Sequence, residues 1–132
     1  MQIMMCSNDI TFCPALCEAY TRRGHALAAG IPNFFMRLGH YDIVHFHWPE
    51  ELVGFRGNSA DPAKTEPILR LIDWWRERAL LVSTVHNLVP HSTDRLDSPD
   101  ARYYAAFYER MDVIGHFSEY SRRRFSEAYP AV

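Results

Sequence analysis

Three short runs of apolar and β-branched residues, each carrying a histidine near its C-terminal end, set the tightest limits on how this chain can fold. They are Tyr41-Asp-Ile-Val-His-Phe-His-Trp-Pro49, Leu80-Leu-Val-Ser-Thr-Val-His-Asn87 and Asp112-Val-Ile-Gly-His-Phe-Ser118. Runs of this kind read as buried strands. Laid side by side and parallel, they bring His47, His86 and His116 to one edge of a sheet. In an open α/β sheet that edge is where ligands bind.

The rest of the chain supplies the crossovers that parallel strands need. Residues 2 to 6 read as a short buried strand ending in the polar turn Ser7-Asn8-Asp9. A helix follows with Pro14 in its first turn, Arg22 and Arg23 at its negative end, and Gly24 as its stop. Residues 25 to 29 form a weak second strand, and Gly30-Ile-Pro-Asn33 turns into a short helical piece over 34 to 38. After Pro49 comes a loop over 54 to 62, rich in Gly, Asn, Ser and Asp. The next helix is expected over 66 to 78, capped by Thr65, with Pro67 in its first turn and an apolar stripe of Ile68, Leu71, Ile72 and Trp75. A long polar loop, 87 to 97, leads to Ser98-Pro-Asp100, a helix start, and to the aromatic segment 103 to 108, which reads as packing. Ser118 caps a last helix that ends before Pro130.

The alternation predicts an α/β fold: a single Rossmann-like, three-layer domain with a parallel sheet of about five strands and helices on both faces. Residues 1 to 132 form one domain, with no repeat and no low-complexity segment. A net charge of −2 gives no reason to expect nucleic-acid binding. Cys6, Cys13 and Cys17 are an odd set crowded near the N-terminus, a poor disulfide framework that fits a reducing compartment. The first residues do not read as a signal peptide and no apolar run approaches a membrane span. The expected location is cytoplasmic, with Arg122-Arg-Arg124 as a surface for peripheral contact at the inner membrane or, more plainly, a solvated helix face.

Missing motifs narrow the chemistry. There is no G-x-G-x-x-G after the first strand, no P-loop and no G-x-S-x-G elbow. His45 and His47 alternate with Val44 and Phe46, so both face one side of their strand. Two histidines at this spacing can ligate zinc, with His86, His91 or His116 to complete a set, but no acidic or cysteine partner stands at a defined spacing, and no metal is expected. His45, mid-strand, reads as a buried histidine bonded to backbone or to a neighbour. His47 and His86 sit at strand ends, where a functional role is a stronger reading. Glu50 and Glu51 follow Pro49 where the chain leaves the sheet, either as a base and hydroxyl-binding carboxylate or as a solvated pair.

Taken together, Asp42-Ile-Val-His-Phe-His-Trp-Pro-Glu50, Ser83-Thr-Val-His-Asn-Leu-Val-Pro-His91 and His116-Phe-Ser118 resemble the N-terminal domain of a GT-B-fold glycosyltransferase of the family 4-like retaining group. The resemblance implies the acceptor-binding half of an enzyme of polysaccharide or glycolipid biosynthesis. The nucleotide-sugar donor would be held by a C-terminal domain that this chain lacks, so the chain alone would be inactive. It implies His86 as the catalytic residue. Asn8, His47, Trp48, Glu50, Asn87, His116 and Ser118 would contact substrate, a sugar or glycolipid acceptor, with no cofactor. The turn at Asn8 departs from the family by lacking paired glycines. Two other readings stand beside it: a stand-alone carbohydrate-binding or assembly subunit working with a separate catalytic chain, and a histidine-metal hydrolase.

Overall fold

A computed structural model describes residues 1–9, 11–54 and 58–132. Five strands form one sheet: β1 (Gln2–Cys6), β2 (Ala26–Ala29), β3 (Ile43–Phe46), β4 (Leu80–Thr84) and β5 (Val113–Gly115). Their spatial order is β2-β1-β3-β4-β5, and every neighbouring pair is parallel. The helices between and after them are α1 (Cys13–Arg22), α2 (Ile31–Met36), α3 (Pro62–Arg76), α4 (Pro99–Tyr108) and α5 (Glu119–Ala128). This is the α/β domain with a five-stranded parallel sheet that the strand and crossover pattern predicts.

Alternation along the strands sorts side chains between two faces. Met4, Cys6, Val44, Phe46 and Leu81 join Phe34 of α2, the Ile68, Leu71, Ile72 and Trp75 stripe of α3, and Phe107 of α4 in the main core. The Trp75 indole N–H donates to the Phe34 carbonyl at 3.0 Å, so the largest core side chain is also hydrogen-bonded. The opposite face carries Ile3, Met5 and His45, all buried, with Tyr20 of α1 lying against His45. The aromatic segment of α4 is core, as expected: Tyr103, Tyr104, Phe107 and Tyr108 are all buried, and Phe125 and Tyr129 pack on Tyr108.

The structure corrects several boundaries. α3 begins at Pro62, not near residue 66, because Asp61 is the better cap: its carboxylate accepts from the Ala63 N–H at 3.0 Å and Pro62 occupies the first turn. Thr65 and Pro67 therefore lie inside the helix. The strands ending in histidines stop earlier than the apolar runs do, at Phe46, Thr84 and Gly115, so each histidine sits just past its strand. Of the loop expected over 54 to 62, residues 55–57 lie outside the described residues. Gly54, with φ of 78°, and a 3-10 turn over Asn58–Ala60 are what is seen of it. No helix among the described residues is long and apolar enough to cross a membrane.

Candidate functional site

The site is built where β3 and β4 run out. Phe46 turns into the core, so His47 lies on the same side of β3 as His45, their rings 4.5 Å apart. Trp48 is extended, and Pro49 then starts a 3-10 turn over Pro49–Val53 closed by Gly54 in the left-handed region. The Tyr103 hydroxyl donates to the Pro49 carbonyl at 2.9 Å, which ties this turn to α4. The turn swings Glu50 inward, where it is buried, while Trp48 stays at the rim.

Three imidazoles form a connected row. His45 Nδ1 meets the Tyr20 hydroxyl at 3.1 Å and its Nε2 meets the Thr84 hydroxyl at 2.8 Å. Both partners can donate or accept, so a neutral ring is satisfied at both nitrogens. His47 Nδ1 lies 2.9 Å from His86 Nε2, and one of the two nitrogens carries the shared hydrogen. His86 is stacked under Trp48 with centroids 4.1 Å apart and an interplanar angle of 26°. Phe12 and Phe117 close around it edge-on at 5.1 Å each.

Burial among these rings disfavours the imidazolium form. It lowers His45 to about 4, helped by His86, and His47 to about 3, helped by His45 and His86. His86 is also lowered by burial, against an opposing pull from the Asp9 carboxylate. All three rings are therefore neutral near pH 7. Asp9 is itself held below the usual carboxylate range, chiefly by the Phe12 N–H, which donates to it at 2.5 Å.

A second polar group adjoins this row. Glu50 Oε1 is 2.5 Å from His91 Nδ1, and His91 Nε2 is 3.1 Å from the Asn87 side-chain nitrogen. Glu50 is buried while His91 is mostly exposed. His86, Asn87, Leu88, Pro90, His91 and Arg124 line a shared open cleft of about 550 Å³.

The remaining expected site residues lie elsewhere. The Asn8 side chain accepts from the Ile31 N–H at 3.3 Å and its own N–H donates to Glu51, so Asn8 ties the loop after β1 to the start of α2. The Ser118 hydroxyl caps α5 by accepting from the Ser121 N–H. His116 does not reach the His47–His86 pair. Its ring packs on Phe125, and Phe117 takes its place beside His86, because β5 ends at Gly115 and successive residues point to opposite sides. His91, Phe12, Asp9, Tyr20 and Thr84 belong to the site without having been singled out for it as contacts. Only the position of His91 at the end of Val89-Pro-His91, in a long polar loop, gave a sequence signal. Among the described residues, no group of three or more His, Cys, Asp or Glu side chains stands where it could share a metal ion.

No family model matches this chain, and no curated protein matches it either. Among solved structures, a response regulator CheY-like protein from Mesorhizobium loti is similar, with a TM-score of 0.56 and 14% identity over 96% of this chain and 93% of that one. The similarity is one of fold. It overturns the glycosyltransferase resemblance, since the similar structure is a response regulator and not a glycosyltransferase. The acceptor-binding role falls with it, as do the alternative of a carbohydrate-binding or assembly subunit and the sugar, glycolipid and nucleotide-sugar partners. The physical reason is that a parallel sheet whose strand ends carry polar side chains is an architecture that hosts many functions, so the placement of the motifs does not choose among them. In this chain several of those residues also have structural partners of their own: His45 bonds Tyr20 and Thr84, Glu50 is buried against His91, Asn8 braces a loop and Ser118 caps a helix.

Proposed function

We propose that this domain binds a small polar ligand in the cleft lined by the loop after β4 and by Arg124 of α5, and exchanges a proton with it through His86. The observation that carries the reading is the 2.9 Å contact between His47 Nδ1 and His86 Nε2. It occupies the inner nitrogen of His86 and leaves Nδ1 for a ligand. With the Nε2 hydrogen donated to His47 Nδ1, a proton taken up at Nδ1 makes His86 the imidazolium, and the charge stays on the less buried ring of the pair, which His47 steadies by accepting. Trp48, Phe12 and Phe117 fix the ring plane and keep water from its faces. Groups positioned this way contribute about 10²–10⁴-fold to a proton-transfer step. Three free thiols fit a reducing, cytoplasmic setting for this chemistry.

Histidine-selective ¹⁵N NMR of the whole chain, recorded during a screen of small polar compounds, tests the reading. A genuine ligand is expected to move the nitrogens of His86 and His47 together, and the effect should vanish in His86→Ala. Compounds that occupy the cleft and leave both rings unmoved would overturn it.

A second reading comes from the similar response regulator: a signalling module that docks on a protein partner. The exposure of Phe117 and Tyr120 beside the strand ends, 59% and 67%, favours it. In that case Tyr120→Ser would abolish partner binding and His86→Ala would leave it intact.

A further inference from the structure

Glu50 is an acidic residue taken out of water, only 2% exposed, with one partner that is itself at the surface. A buried carboxylate is costly unless it is hydrogen-bonded, and here His91 Nδ1 meets Glu50 Oε1 at 2.5 Å. With the carboxylate ionised, only a hydrogen on Nδ1 makes that contact. In the neutral ring Nε2 is then a bare acceptor, and the Asn87 amide N–H at 3.1 Å is oriented to donate to it. The partners on both sides thus select one tautomer and hold the ring in one plane. Asn87 also directly follows His86 in the chain, so both imidazoles face the same 550 Å³ cleft. Hydrogen bonding of this kind, a carboxylate behind one nitrogen and an acceptor lone pair held toward a displaceable donor on the other, prepares an imidazole as a base.

We propose that Glu50, His91 and Asn87 form a second proton-transfer unit in the cleft, with His91 Nε2 as the accepting atom and Glu50 as its positioning residue. The ligand it fits carries an O–H or N–H hydrogen. On binding, that group displaces the Asn87 amide, its proton passes to Nε2, and the bonding pair stays on the ligand heavy atom. The imidazolium so formed keeps its Nδ1 hydrogen on Glu50, whose negative charge offsets the new positive one. This proposal rests on the same cleft as the His86 reading but on different atoms. The cleft therefore presents two imidazoles, His91 and His86, to the same bound ligand.

The test uses the full chain and two readouts at His91. The first is the tautomer, from ¹⁵N shifts of histidine-labelled protein at pH 7.5. Wild type is expected to show the Nδ1–H form, Glu50→Gln to keep it, since the amide oxygen still accepts, and Glu50→Leu to lose it. The second is the rate at which diethyl pyrocarbonate modifies His91, read by mass spectrometry. In that reaction the bare nitrogen attacks a carbonyl, an N–C bond forms, and the other half leaves as carbon dioxide and ethanol. Glu50→Leu should slow His91 about tenfold, the lower end of what losing such a partner costs at metal-bound histidines, while leaving the exposed His40 unchanged. Glu50→Asp should restore part of the rate. An unchanged tautomer and rate in Glu50→Leu would overturn the proposal. So would equal slowing of His91 and His40. His86 is resolved in the same spectra, so loss of its response with His91 intact would sink the earlier reading and spare this one.

Discussion

His45 shows how much a single buried ring can bind stability to pH. Unfolded, it titrates near 6.5; folded, burial between β1 and β4 and the nearby His86 hold it at about 4. Between those values the unfolded chain binds more protons than the folded one, so stability rises with pH across that window. It is fully present above about pH 6.5 and is lost as the solution is acidified towards pH 4. The contribution is about 3 kcal/mol at most. Urea unfolding at pH 7 and at pH 4.5 should show the loss, and His45→Gln should flatten the slope. Sequence alone told that His45 would be a buried histidine bonded to backbone or to a neighbour, from its place mid-strand. It did not tell which neighbours, because Tyr20 and Thr84 lie 25 and 39 residues away. The inward turn of Glu50 was equally hidden, since it depends on Tyr103 holding the Pro49 carbonyl from α4.

At the scale of elements, α3 offers two opposed substitutions. Asp61→Ala removes the side chain that accepts from the Ala63 N–H and should destabilise the protein by about 1 kcal/mol in chemical denaturation. Pro67 is exposed and lies within the helix, where it cannot donate to the carbonyl one turn back. Pro67→Ala should stabilise, by up to about 3 kcal/mol if the helix is not already adapted to the ring. Both follow from the same fact that misplaced the helix start: two prolines five residues apart each look like a first turn. Local signals pick out Thr65-Glu-Pro67, and only the capping geometry moves the start to Asp61-Pro62. The strand pattern was far more legible, because β-branched runs flanked by turn residues leave few alternatives.

For the whole molecule, the parallel sheet places β1 second in the row, paired on both sides. Cys6 at its end is buried, and burial pushes its thiol well up from the ordinary value. Its reaction with a disulfide reagent should wait for global unfolding, while Cys17, half-buried on α1, reacts first. Reaction of Cys6 at the rate of Cys17 would contradict the packing described. At this scale the fold was readable from strand and crossover spacing, whereas the function was not. The histidine motifs mark strand ends, which this architecture shares among many functions, and they do not carry the signature of one family.

Trp48 lies flat against His86, which gives the protein a built-in optical reporter. A protonated imidazole in van der Waals contact quenches indole emission, whereas a neutral one does so far less. In a Trp74→Phe background, where the buried Trp75 adds a second emission, the Trp48 part should hold steady through neutral pH and dim only below the ordinary histidine range, in step with the lowered pKa of His86. The light lost on acidification would then count protons at that ring without any added label.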